Sequence, residues 1–290
     1  MVDAKTVAEL RAKTGAGMMD CKKALTETNG NLEAAIDYLR EKGIAKAAKK
    51  ESRIAAEGLA NVYISGNKAV IIEVNSETDF VSKNEEFRAM LDTIGNTILN
   101  SEATTLEEVL ELNSDEGTIK DLIVAKTAKI GEKLSLRRIE VVNKTDEETF
   151  GSYLHMGGKI AVLTLLKGAN EEVAKDVAMQ AAAMKPEYVR EDEIPTERVE
   201  KERAIFKEQA MNEGKPAEIA EKMVNGRINK FYKEVCLLEQ PFIKDPDLDV
   251  AGYAKANNMA VVKFIRFEVG EGMEKRNDDF ASEVMSQING

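Results

Sequence analysis

One histidine and two cysteines among 290 residues leave little with which to build a nucleophilic or metal-dependent active site. Any Ser-His-Asp or Cys-His arrangement must use His155, which lies far in sequence from both Cys21 and Cys236. A zinc site needs about four Cys, His or carboxylate ligands at close spacing, and the sequence has no such cluster. The two cysteines make no disulfide framework; each reads as a small buried hydrophobe. No apolar run approaches the ~20 residues that a membrane helix needs. The opening MVDAKTVAELRAKTGAG puts charges where a signal peptide has its apolar core, so the expected location is cytoplasmic, with no membrane partner. No G-x-x-x-x-G-K-[ST] phosphate loop occurs: Gly214-Lys215-Pro216 is a turn, and Gly15-x-Gly17 lacks the third glycine of a dinucleotide site. No cofactor, no metal and no catalytic residue is expected.

What is present is charge and helical pattern. The chain is 43% hydrophobic and 32% charged, a folded composition long enough for two or three domains. Its net charge of −11 is unevenly spread. Residues 1–57 carry 11 Lys and Arg against 9 Asp and Glu, a net +2, and the remainder carries 30 against 43, a net −13. An acidic body disfavours nucleic acid, where phosphate neutralisation supplies most of the affinity. It favours a protein partner with a basic face.

Residues 4 to 42 read as three short helices. Val7 and Leu10 mark the first, Ala24 and Leu25 the second, and Leu32, Ala35, Ile36 and Leu39 the third. Thr14-Gly15-Ala16-Gly17 and Asn29-Gly30-Asn31 break between them. Asn31 reads as an N-cap and Gly43 as the residue just past the third helix. Met18 and Met19 follow the glycine loop directly; two in a row put at least one on the surface, where Met is an adaptable contact residue. A purely structural role stands beside that reading. Gly43 to Glu57, Ala-rich and basic, reads as a helical or semi-flexible linker.

From Gly58 the pattern turns to strands. GLANVYISGNKAVIIEV is a hairpin about Ser65-Gly66-Asn67. The stretch Ile71 to Val81, IIEVNSETDFV, organises the rest. Val70, Ile71, Ile72 and Val74 form a β-branched run, which Asn75, Ser76 and Glu77 stop. Ser76 and Asp79 have the spacing of a helix start, so Phe80 falls in the first turn of a strand-to-helix corner. Two readings stand. Phe80 packs under the following helix with Asp79 as its cap, or Phe80 protrudes as an apolar wedge with an anionic neighbour. Ser82 and Glu85 then make a capping box, and Phe87, Met90, Leu91, Ile94 and Ile98 share one helix face. Residues 101 to 132 read as helical, and Leu134, Leu136, Ile139 and Val141 as a third strand.

The plan then repeats. Gly151 to Leu166 is a second hairpin turning at Met156-Gly157-Gly158-Lys159, followed by a helix through Val173, Val177, Ala181 and Met184, and a strand from Ala260 to Val269. GNKAVIIEV and GGKIAVLTLL share a Gly-x-Lys turn before a β-branched strand. This is a duplicated β-β-α-β core. The second copy carries an inserted antiparallel helical hairpin, residues 195–235, broken at Glu213-Gly214-Lys215-Pro216. Val199, Phe206 and Ala210 on one arm are set to face Ile219, Met223 and Phe231 on the other. Phe280, Val284 and Ile288 stripe a C-terminal helix, residues 279–288. The fold class is α+β. The expected domains are residues 1–57, three helices and a linker; 58–143, the first core half; and 144–290, the second half with its insertion and C-terminal helix.

Several strings together resemble the bacterial translation elongation factor Ts family. They are Leu10-Arg11-x-Lys-Thr14-Gly15-Ala16-Gly17-Met18-Met19-Asp20-Cys21-Lys22-Lys23-Ala24-Leu25, the Thr78-Asp79-Phe80-Val81 corner, and Ile130-Gly131-Glu132. The His155 hairpin, Gly214-Lys215-Pro216 through Ala220-Glu221-Lys222-Met223, and Phe264-Ile265-Arg266-Phe267-Glu268-Val269-Gly270-Glu271-Gly272 belong with them. The resemblance spans essentially the whole chain. It implies an N-terminal domain like ubiquitin-associated domains, and a function without covalent chemistry: exchange of guanine nucleotide on elongation factor Tu, the GTPase that delivers aminoacyl-tRNA. By the same resemblance, Arg11, Met18, Met19 and Lys22 meet the GTPase domain of that partner. Thr78, Asp79, Phe80 and Val81 form the intruding corner, Ile130 contacts the partner beside it, and His155 reaches the partner's third domain. Where family members have Val-Met after Pro-Phe, this chain has Ile243-Lys244, and the contact carries over to Ile243. Three other readings remain: an RNA- or ribosome-binding factor, disfavoured by the acidic body; an enzyme built on His155; and an adaptor using the three-helix unit to bind peptides.

Overall fold

The computed structural model describes residues 2–214 and 216–274. Its first three helices are α1 (Ala4–Thr14), α2 (Met18–Glu27) and α3 (Leu32–Ala48). They close around Val7, Leu10, Cys21, Ala24, Leu25 and Ala35. The ends are chemically marked: the Asp3 side chain accepts from the Lys5 N–H, Gly15 stops α1 in the left-handed region at φ 63°, and Asn31 accepts from the Ala34 N–H at 3.0 Å. Gly43 does not end α3. The helix runs on through Ala45, Ala47 and Ala48, the strongest helix formers, so most of the expected linker's first half is helix.

Then come β1 (Glu57–Ser65), β2 (Lys68–Ser76), α4 (Glu85–Leu99), α5 (Leu106–Leu110), β3 (Asn113–Ser114), β4 (Gly117–Thr118), α6 (Ile119–Ile130) and β5 (Ser135–Asn143). The strands β1-β2-β5 form one sheet in that order, with the second strand of the hairpin in the centre. Phe87, Met90, Leu91, Ile94 and Ile98 are buried along one face of α4. That helix approaches β1 closely because Gly95 has no side chain: a Cβ there would stand 2.2 Å from the Tyr63 ring. The Tyr63 hydroxyl donates to Asp92 at 2.8 Å. Residues 101 to 132 are not helical throughout. Gly117, at φ 98°, turns a two-residue hairpin that Ser114 Oγ braces by donating to the Gly117 carbonyl at 2.8 Å.

The second set is β6 (Glu148–His155), β7 (Ile160–Lys167), α7 (Glu171–Met184), α8 (Thr196–Asn212), α9 (Ala217–Val235), β8 (Pro241–Phe242), β9 (Asp245–Asp249), α10 (Val250–Ala256) and β10 (Ala260–Glu268). β6 and β7 pair antiparallel from Glu148 with Lys167 to His155 with Ile160. The sheet order β10-β7-β6 again puts the hairpin's second strand in the middle. Glycine again lets the helix close on the sheet: a Cβ at Gly151 would lie 2.2 Å from the Ala174 backbone, and Thr164 Oγ donates to the Ala174 carbonyl at 2.8 Å. Val162, Leu166, Val173, Val177, Ala178 and Ala181 fill this core.

α8 and α9 are the two arms of the helical hairpin. Ala210 and Phe231 are buried, as the sequence pattern implies, but Ile219 is 48% exposed. The buried stripe of α9 is Ala220, Val224, Ile228, Phe231 and Val235, one residue on from Ile219 and Met223. One residue is about 100° of helix rotation, enough to turn Ile219 outward, while Met223 stays half-buried. The segment β8 to α10 carries no clear periodicity; there Phe242 stacks on Tyr253 with ring centroids 4.0 Å apart. The expected helix at 279–288 lies outside the described residues.

The chain divides into two compact units. Of the described residues, 2–63, 72–140 and 268–274 form the first, and 64–71 with 141–267 the second.

Candidate partner-binding site

The corner after β2 is built by what stops the strand. Val74, Asn75 and Ser76 are buried, Glu77 and Thr78 half-buried, and Asp79 and Phe80 are exposed. Ser76 does not cap a helix: its hydroxyl donates to the Thr78 carbonyl at 2.9 Å and tightens the turn. Val81–Lys83 form a 3-10 turn, and Asn84, not Ser82, caps α4 by accepting from the Glu86 N–H at 2.8 Å. Ser82 Oγ instead donates to the Asp79 carbonyl at 2.6 Å. Val81, at 6% exposure, takes the buried place, and Phe80 points away at 77%. The packed-staple reading of Phe80 therefore fails: Val81 is the staple.

The other candidates in the first unit lie on helix ends. Ile130, half-buried, closes α6, and Gly131 follows in the left-handed region at φ 91°. Arg11 is exposed in the last turn of α1, and Met18, Met19 and Lys22 are exposed in α2. Met18 is 58% and Met19 74% exposed, so both methionines are surface residues. The Gly15 turn between these helices rests on Lys129, whose Nζ stands 2.6 Å from where a Gly15 Cβ would be. Lys129 precedes Ile130, so the α1–α2 loop and the end of α6 are neighbours. Lys129 also donates to Glu86 at 2.6 Å, and Lys126 donates to the same carboxylate at 3.2 Å. These two bonds hold the Glu86 carboxyl below its ordinary range, Lys129 contributing most.

His155 and Ile243 belong to the second unit. His155 ends β6, exposed, next to Met156 at φ 50° and 73% exposure. The Ile243 N–H donates to Gln180 at 2.9 Å, and its side chain is 42% exposed. Lys244 turns inward to Asp176 at 2.5 Å, which also accepts from the Tyr253 hydroxyl at 2.8 Å. Burial, then Asp176, pushes the Tyr253 phenol up to about 12.

Sequence reasoning missed the charged groups that hold these segments. Glu73 is fully buried in β2 and accepts from the Gly270 N–H at 2.9 Å, from Arg137 at 2.9 Å and from Arg138. Burial pushes its carboxyl up, but the Gly270 N–H and the two guanidinium groups outweigh that and hold it below the usual range. Glu132 and Glu77 grip the corner itself. Glu73 and Glu77 lie in the IIEVNSETDFV stretch and Glu132 in Ile130-Gly131-Glu132, but no string quoted above holds Arg137 or Arg138.

Among the described residues no group of three or more His, Cys, Asp or Glu can hold a metal ion. Burial, then the carboxylates led by Glu191, pushes the Cys236 thiol up to about 12, far from a reactive thiolate. No described helix is long and apolar enough to cross a membrane. The family model described as elongation factor TS matches residues 77–271. The chain is 52% identical over 288 residues to elongation factor Ts of Limosilactobacillus fermentum (strain NBRC 3956 / LMG 18251), covering 99% of each. The chain belongs to the elongation factor Ts family. It is a translation elongation factor, and the exposed corner lies at the start of the stretch that the elongation factor Ts model matches.

Proposed function

We propose that the chain promotes release of GDP from elongation factor Tu, with Asp79 and Phe80 as the intruding element. The observation that carries this reading is an aromatic ring 77% exposed directly beside buried Val81. An exposed Phe on an ordered corner has apolar area to bury against a partner. Phe80 enters an apolar slot on the GTPase and displaces the helices behind its phosphate cradle. The Mg²⁺ site loosens, and Asp79 disturbs its hydrogen-bonded surroundings. No bond in the nucleotide breaks.

The effect is a coupling free energy, and it is reciprocal: if the factor weakens GDP binding, GDP weakens factor binding equally. Burying one Phe supplies about 2 kcal/mol, too little for a large coupling. Arg11, Met18, Met19, Lys22 and Ile130 supply more on the first unit, and His155 and Ile243 on the second. We assign residues 1–57, 58–143 and 144–290 as the three functional parts of this surface, in the cytoplasm, without nucleic acid or membrane. The test is release of labelled GDP from elongation factor Tu with wild type and Phe80→Ala. Phe80→Ala slows release strongly yet weakens complex formation less than removal of residues 1–57 does. Release at wild-type speed would remove the wedge.

A further inference from the structure

The corner that presents Phe80 is gripped by carboxylates from two directions. Glu132, just past the end of α6, accepts from the Thr78 N–H at 2.9 Å and from the Thr78 hydroxyl at 2.6 Å. Glu77 answers in the other sense and accepts from the Lys133 N–H at 2.6 Å. Residues 77–78 and 132–133 thus clasp each other reciprocally. A third segment, directly after α3, closes the ring. Lys50 Nζ donates to the Gly131 carbonyl at 2.6 Å, Lys133 Nζ to the Glu51 carbonyl at 2.5 Å, and Arg53 to both Glu77 oxygens at 3.3 Å. The Glu77 side chain is only 9% exposed, which shields its charge-assisted bond to the Lys133 N–H from water. On the far side of Phe80, buried Val81 and the Ser82 bond to Asp79 fix the backbone. The ring is free while the main chain on either side of it is not.

We infer that this clasp sets the direction in which Phe80 projects, and that Glu132 is a positioning residue for nucleotide exchange, acting through Thr78. The mechanical half stands on the hydrogen bonds alone; the consequence for exchange rests on the function proposed above. A finger already aimed loses little freedom on docking, whereas one that swings must be ordered at the moment of contact. A single Glu132 carboxylate receives both the N–H and the hydroxyl of Thr78, so losing it frees the corner at its root. Thr78 matters for its hydroxyl as well as its N–H, and Ser retains both.

Two measurements on the full chain test this. A nitroxide is placed on Phe80→Cys, with Cys21 and Cys236 protected by burial, and its mobility is read in the free protein. Glu132→Ala is expected to raise that mobility, Thr78→Val to raise it less, and Thr78→Ser to leave it at the wild-type value. In unlabelled protein, Glu132→Ala is expected to lower the saturating rate of GDP release from elongation factor Tu about tenfold, the scale of losing bonds to a charged group. The half-saturating concentration is expected to move far less. Thr78→Val is expected to lower that rate more than Thr78→Ser, which keeps both bonds to Glu132, and this ordered pair carries the test if Glu132→Ala does not fold. Unchanged nitroxide mobility in the loosened variants overturns the clasp. Raised mobility with an unchanged rate, where Phe80→Ala is slow, overturns the positioning role. A normal rate for Phe80→Ala instead defeats the exchange reading and leaves the nitroxide result to judge the clasp.

Discussion

Replacing Glu73 by Gln removes a buried negative charge that ties β2, β5 and the segment after β10 together. In the wild type its carboxylate accepts from Gly270, Arg137, Arg138 and Asn75. The amide in Glu73→Gln retains a single acceptor oxygen and turns an NH₂ toward donors. Two guanidinium groups then face each other without this counter-ion. Breaking a buried pair by removing one partner costs about 3–5 kcal/mol. The lower end applies here, because Arg137 and Arg138 are 24% and 30% exposed and each also donates to a backbone carbonyl, of Glu271 and Glu268 respectively. About 3 kcal/mol corresponds to a fall in Tm of roughly 6–12 °C for a cooperative unit of this size. The pH dependence has a definite sign. The Glu73 carboxyl is held below its unfolded value, so its contribution is present above the unfolded pKa of about 4.3 and is lost as pH falls through the folded pKa. The gap between wild type and Glu73→Gln should therefore be full at pH 7 and shrink in acid. Thermal unfolding followed by circular dichroism at several pH values measures both. A Tm within about 2 °C of wild type at pH 7, well short of that fall, or a gap that widens in acid, would refute this role for Glu73.

Three further outcomes follow from local geometry. Gly95→Ala drives a Cβ to 2.2 Å from the Tyr63 ring, which costs about 1–3 kcal/mol of overpacking, read by chemical denaturation; full stability would mean that α4 does not lie on that ring. Asn84→Ala removes the side-chain acceptor of the α4 cap and lowers stability by about 1 kcal/mol, also by denaturation. Cys236, fully buried and with its thiol pushed up to about 12, is expected to resist iodoacetamide in mildly alkaline buffer in the native state and to react once urea unfolds the chain; rapid native labelling, read by mass spectrometry, would contradict that placement.

The sequence is most readable where a single periodicity meets no competitor. The β-branched run from Val70 to Val74 and the apolar face Phe87 to Ile98 form the expected strand and helix. Asn31 caps as its side chain and position require. Reading fails where two local signals compete. Gly43 looks like a stop, but the alanines after it carry α3 onward. Ser82 and Glu85 have capping-box spacing, but Asn84 is a better cap and frees Ser82 to hold Asp79. The helical hairpin is legible as two arms, yet its seam is not, because Ile219 and Ala220 are both apolar and only packing selects the smaller one. The corner after β2 shows in the sequence as a place. Which of Phe80 and Val81 goes inward does not, because either fits a staple. The long-range carboxylate contacts are the least legible of all: Glu132 lies 54 residues from Thr78 in sequence, and no periodicity connects them.

The most direct measurement is stopped-flow release of labelled GDP from elongation factor Tu, with wild type and Phe80→Ala at saturating concentration. The wild type is expected to accelerate release, and the substituted chain to lag far behind it while still binding. Equal rates from the two proteins would contradict a wedge at Phe80.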